Sequence, residues 1–246
     1  MADTVVVAAP DAPQNRYETI ASPLHTVILL LILTGITLLG YFSLNKTGTL
    51  EVPSRLRFYL PTMIWEWLVF AYIYWGVRRH GKTFADMAGG RWKNAVEFLR
   101  DVVIAFGTWI VALIVLGAVS HLLHATGSVE AAKRIGPQGL LEDIVYLCLA
   151  VTAGICEETI FRGYLQRQFV AWFRNAPAGV LVSAILFGAG HVYQGLRPAI
   201  VIVVFGLIFG ILAELRRSIY PGVIMHTWQD ALSGFLVRFL SRLAPK

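Results

Sequence analysis

Seven apolar runs, most of roughly membrane-spanning length, divide this chain and constrain its fold more than any other feature of the sequence. A hydrocarbon core ~30 Å thick is crossed by about 20 apolar residues in a helix. The runs are Leu24–Phe42, Phe58–Val77, Val102–Ser120, one that begins near Leu140, Ala178–Val192, Pro198–Leu215 and Ile219–Leu240. The chain is 57% hydrophobic and 15% charged, where a soluble domain carries about 25% charged residues. The predicted fold is therefore all-α, a polytopic bundle of about seven to eight transmembrane helices. Neither a repeat nor a second domain is visible. Residues 23–246 read as one transmembrane domain whose motif-bearing core covers about 140–240. Residues 1–22 read as a flexible, polar tail without a cleavable signal peptide.

The net charge of +6 comes from Lys and Arg scattered between the runs, a pattern for contact with membrane lipid and not with nucleic acid. Placing the N-terminus inside puts Arg16, the dense Arg78–Arg100 segment, Arg162, Arg167, Arg174, Arg216 and Arg217 on the cytoplasmic face. That is the larger share of the 21 basic residues. The expected location is a bacterial inner membrane. The second run carries Trp65, Trp67, Tyr72, Tyr74 and Trp75, as a span with aromatic belts does. Cys148 and Cys156 lie about 12 Å apart along one helix, too far for a disulfide, and read as packing residues.

The anomaly is Glu157-Glu158 in apolar sequence, with Arg162 one turn on. One Asp at the centre of a membrane helix costs ~2.5–3.5 kcal/mol even on the mildest scale. Ile160, Phe161, Tyr164, Leu165, Phe169, Val170 and Trp172 continue the apolar pattern at spacings of three and four. The fourth run is thus expected to be one helix from about Leu141 to Arg174, with Glu157 inside the membrane. An ion pair between Glu158 and Arg162 would make Glu158 supporting and leave Glu157 reactive.

Two later spans carry a patterned histidine each. Phe187 precedes His191 by one turn, and His226 precedes Asp230 by one turn, so each pair shares a helix face. A shielded carboxylate suits general-base work on water. Histidines donate to a developing oxyanion or bind metal, and two His with a carboxylate also form a common catalytic zinc set. Each element alone has a plainer reading: an interhelical hydrogen bond for a single His, a structural pair for Glu158–Arg162, close packing for Gly206 and Gly210. Glu66, between Trp65 and Trp67, reads as a structural acid without an obvious partner. His121 and His124 read as solvated loop residues within a polar segment, 121–139. Three patterned sites in order on apolar helices are much harder to explain plainly.

The motifs Glu157-Glu158-Thr159-Ile160-Phe161-Arg162, Phe187-Gly188-Ala189-Gly190-His191 and His226-Thr227-Trp228-Gln229-Asp230 resemble those of the CAAX-protease and bacteriocin-processing (CPBP, or Abi) family of intramembrane proteases, relatives of the Ras-converting endopeptidase. The resemblance covers about the last two fifths of the chain. It implies a helical membrane fold with a cavity open toward the cytoplasm and a peptide or lipidated-protein substrate; eukaryotic relatives trim prenylated CAAX proteins. By carry-over, Glu157 activates water with the help of His191, while His226 and Asp230 polarise the scissile carbonyl or bind metal. Asp stands at 230 where Asn is common in relatives. An Asn donates a hydrogen bond, whereas an ionised Asp cannot. Asp230 is then protonated, orients His226, or joins Glu157, His191 and His226 around zinc, and the metal option stays open. Two other function classes remain to be weighed: a non-catalytic immunity or scaffold protein of the same fold, and an ion or proton transporter.

Overall fold

The computed structural model describes residues 17–47, 55–125 and 136–243. The expected tail up to residue 16 and residues 126–135 of the polar segment lie outside the described residues. Helices α1 (Pro23–Thr47), α2 (Leu56–Arg79), α3 (Phe84–Ala88), α4 (Ala95–Leu122), α5 (Leu140–Glu158), α6 (Arg167–Phe173), α7 (Ala176–Ala189), α8 (Leu196–Arg216) and α9 (Tyr220–Leu243) follow in order. A π-helical segment, Thr159–Gln166, joins α5 to α6 without a break, and a single 3₁₀ turn, Val192–Gln194, joins α7 to α8. The architecture is a helical membrane bundle. Among the described residues four helices, counting 140–173 as one, are long and apolar enough to cross a membrane. The outer faces of α1 and α4 expose Leu31, Leu39, Val103, Phe106 and Ile114, the pattern of helices that face lipid.

Local sequence sets the helix ends. Asn94 and Asn175 accept hydrogen bonds from Glu97 N and Ala178 N, at 2.9 and 3.0 Å, as N-caps do. α4 therefore begins seven residues before the expected apolar run. The segment between α2 and α4, expected to be a loop, contains α3. Its start is a capping box in which Thr83 and Asp86 bond each other's backbone, and it ends on Gly89 at φ 88°. Burial alone would raise the pKa of the Asp86 carboxyl and suppress its ionisation. The bonds from Thr83 Oγ1 and N and the charges of Lys82 and Arg167 outweigh it and hold the carboxyl below its usual range. Of the residues expected to be loop histidines, His121 closes the last turn of α4.

The fourth run is one helix from Leu140 to Phe173, as the apolar pattern required. Its π-helical stretch is buried at every position from Thr159 to Gln166 and forms the centre of the bundle. Phe161, Tyr164, Leu165, Phe169 and Phe187 gather there with Val69, Ile73 and Val77 of α2. The end of the expected flexible tail is pinned to α6: Ile20 N donates to Gln168 Oε1 and Gln168 Nε2 donates to Ala21 O. Ile20 and Ala21 are buried. Gly206 lets α8 close on α7; a Cβ there would stand 3.1 Å from Ala184 Cα.

Candidate functional site

Glu158 ends α5 fully buried, and its surroundings explain how a carboxylate survives there. Arg162 Nη1 donates to Glu158 Oε1 at 2.8 Å from one turn along the helix. Arg162 Nη2 donates to the carbonyl of Gly206 at 3.1 Å. The guanidinium also lies over the rings of Phe187 and Phe209, 4.4 and 4.9 Å from their centroids, a cation–π arrangement. The same Oε1 of Glu158 faces His226 Nδ1 at 3.0 Å. An ionised carboxylate only accepts, so Nδ1 donates and the ring of His226 is fixed in orientation. Gly222, one turn before His226, makes room for this contact; a Cβ there would meet Glu158 Oε2 at 2.8 Å.

His226 Nε2 is thereby turned toward Glu157 and Asp230. It lies 3.8 Å from Glu157 Oε2 and 3.7 Å from Asp230 Oδ2. These separations are too long for direct hydrogen bonds, so the two carboxyls act on the ring as charges. Glu157, unlike Glu158, keeps part of its side chain exposed, at 18%. The geometry thus separates the adjacent acids: one sealed and paired, the other open toward the imidazole. Asp230 is the more exposed of the groups on α9.

His191 follows the last turn of α7. Its Nδ1 lies 2.9 Å from Phe187 O; a carbonyl only accepts, so Nδ1 donates and Nε2 remains an acceptor. Phe187 contacts His191, His226 and Phe161 with centroids 5.0, 6.0 and 5.0 Å apart and so spaces the two histidines. All seven residues singled out in the sequence come together around this point. The sequence reading missed Phe209, whose ring packs on His226 at 5.4 Å, the Gly206 carbonyl, and the role of Glu66. The last faces the same site from α2. Only Glu66 carried a sequence signal, as an acid in an apolar run.

Glu158 takes Nδ1 of His226 and leaves Nε2 as its outward-facing nitrogen; among the described residues no three His, Cys, Asp or Glu side chains are arranged to hold a metal ion.

A buried carboxylate–arginine pair thus fixes a histidine beside a partly exposed glutamate within the helical bundle. Residues 139–232 match the family model described as type II CAAX prenyl endopeptidase Rce1-like. That segment holds every motif named above. No curated protein and no solved structure matches the chain.

Proposed function

We propose that this integral membrane protein is an intramembrane endopeptidase of the CAAX type, in which Glu157 activates the attacking water. The observation that carries the reading is the chain of contacts Arg162–Glu158–His226, which aims His226 Nε2 at Glu157 and Asp230. The water's hydrogens meet two acceptors, the Glu157 carboxylate and His191 Nε2. Glu157 takes one proton as the water oxygen bonds the scissile carbonyl carbon. As an imidazolium, His226 donates from both nitrogens: Nδ1 to Glu158 and Nε2 to the developing oxyanion. Glu157 then returns the proton to the leaving nitrogen as the C–N bond breaks. Asp230 flanks the same Nε2 edge of His226 and helps to orient the ring. Substrates are membrane-associated peptides, with CAAX-like C-termini the first class to try.

The test uses purified protein in detergent with a prenylated CAAX peptide and a panel of other membrane peptides. Glu157→Gln is expected to lose at least ~10²-fold in kcat, the smaller end of general-base catalysis. Equal cleavage by wild type and variant removes Glu157 as the base. Zinc content is expected to fall well below one equivalent in an active preparation, with no loss on dialysis against chelator. Stoichiometric zinc that is lost together with activity in His226→Ala protein would overturn that expectation.

A further inference from the structure

The buried stripe of α2 runs through Tyr59, Glu66, Val69, Ile73, Gly76 and Val77. Five of the six suit an apolar interface; Glu66 does not. It is 8% exposed and points inward, while its neighbours Trp65 and Trp67 are exposed. α2 lies along α5 in the same direction: Tyr59 packs on Tyr146 with centroids 5.5 Å apart, and Trp67 Nε1 reaches Thr152 Oγ1 at 3.4 Å. That register carries Glu66 to the level of the site, within electrostatic reach of Glu157, His226 and Asp230. Its Oε2 is shielded and has no hydrogen-bond partner among the described residues. A buried polar atom left in that condition calls for an explanation.

A peptide held in a helical bundle poses a specific problem. Its backbone N–H groups must be satisfied in a low-dielectric space, and helices spend their own carbonyls internally. Side chains must supply the acceptors. Glu158 is committed to Arg162 and His226, Glu157 faces the reacting centre, and Asp230 flanks His226. Glu66 is the remaining carboxyl at the site among the described residues. It also comes from outside the family-matched segment 139–232, so it adds a contact from the other half of the bundle.

We propose that Glu66 is a substrate-binding residue whose Oε2 accepts a backbone N–H of the peptide lying across Glu157. The inference rests on the endopeptidase reading and gives that site a main-chain anchor. The full-length protein in detergent is compared with Glu66→Leu and Glu66→Gln on a cleaved peptide and on its analogues with one backbone N–H at a time replaced by an ester oxygen. Glu66→Leu is expected to raise KM about tenfold or more, the worth of one hydrogen bond to an acid group, with kcat within about threefold. Glu66→Gln, which keeps an acceptor oxygen, should stay near wild type. One ester position should cost wild type a similar factor and cost Glu66→Leu nothing further. An unchanged KM in Glu66→Leu, or ester penalties that add in full, overturns the proposal while leaving Glu157 as base untouched. If Glu66→Leu aggregates, Glu66→Met takes its place. If wild type cleaves no peptide, the endopeptidase reading has failed on its own. Anisotropy of a labelled peptide then reads Glu66 directly, and equal signals from wild type and Glu66→Leu, including none from either, refute it.

Discussion

Arg162 is the residue on which the buried charges depend. It is 2% exposed and neutralises Glu158, which in turn orients His226. Removing one partner of a buried pair leaves an uncompensated charge and typically costs about 3–5 kcal/mol. Arg162→Met is therefore expected to lower the Tm in detergent sharply. The double change Arg162→Met with Glu158→Gln should recover much of that Tm, because no buried charge is left alone. Activity should stay lost in the double variant, since a neutral amide no longer holds His226 as a carboxylate does. Recovery of cleavage in the double variant would break the proposed chain from Arg162 to His226. The pairing of Glu158 with Arg162 was legible in sequence because the two are one helical turn apart. The link from Glu158 to His226 was not, since 68 residues separate them and no local spacing encodes the contact. Glu66 was visible as an anomaly, but what it faces depends on the register between α2 and α5.

At the scale of elements, the seven apolar runs correspond to α1, α2, α4, the continuous helix 140–173, α7, α8 and α9. Hydropathy missed what polar residues encode. Glu97, Arg100 and Asp101 hid the first turns of α4, where Trp92 Nε1 and Arg216 Nη2 both donate to the Asp101 carboxylate at 2.9 Å. The five-residue α3 was hidden by its length, although Thr83, Asp86 and Gly89 are a readable cap pattern. This element positions the site from behind: Arg167 donates to the carbonyls of Asp86 and Met87, and Ile219 N donates to Ala88 O at 3.0 Å just before α9 begins. Loss of an N-cap costs about 0.5–2 kcal/mol, so Thr83→Ala is expected to lower the Tm modestly at pH 7. The folded state holds Asp86 below its usual carboxylate range. That stabilisation is present above the unfolded carboxyl's pKa and is lost as pH falls through the depressed folded value. The Tm gap between wild type and Thr83→Ala should accordingly narrow in acid, below about pH 4. A gap that stays constant down to pH 3 would separate the cap from the carboxyl.

At the scale of the whole molecule, two sequence expectations select opposite orientations. The charge bias places the Arg78–Arg100 segment, Arg167, Arg174 and Arg216–Arg217 in the cytoplasm. The family resemblance implies a cavity open to the cytoplasm. A cavity of about 690 Å³ does open at the Arg-rich end, lined by Thr83, Gly89, Arg167 and Arg217. Arg162 belongs to its wall, whereas Glu157, His226 and Asp230 do not. The exposed part of the site lies toward the other end: Asp230 is one turn further along α9 than His226. Sequence could not expose this conflict, because the direction in which the site faces emerges only when α7 and α9 are packed beside the long helix. Single cysteines at the exposed positions Lys93 and Gln138, introduced with Cys148→Ser, place the two ends by labelling intact cells with an impermeant maleimide. The charge bias predicts that Lys93→Cys is protected until the cells are permeabilised and that Gln138→Cys is labelled at once. Substrate would then reach Glu157 from the non-cytoplasmic side, and a peptide supplied outside spheroplasts should be cleaved. The reverse labelling would show that the bias is overridden, with the N-terminus outside and Glu157 served from the cytoplasm.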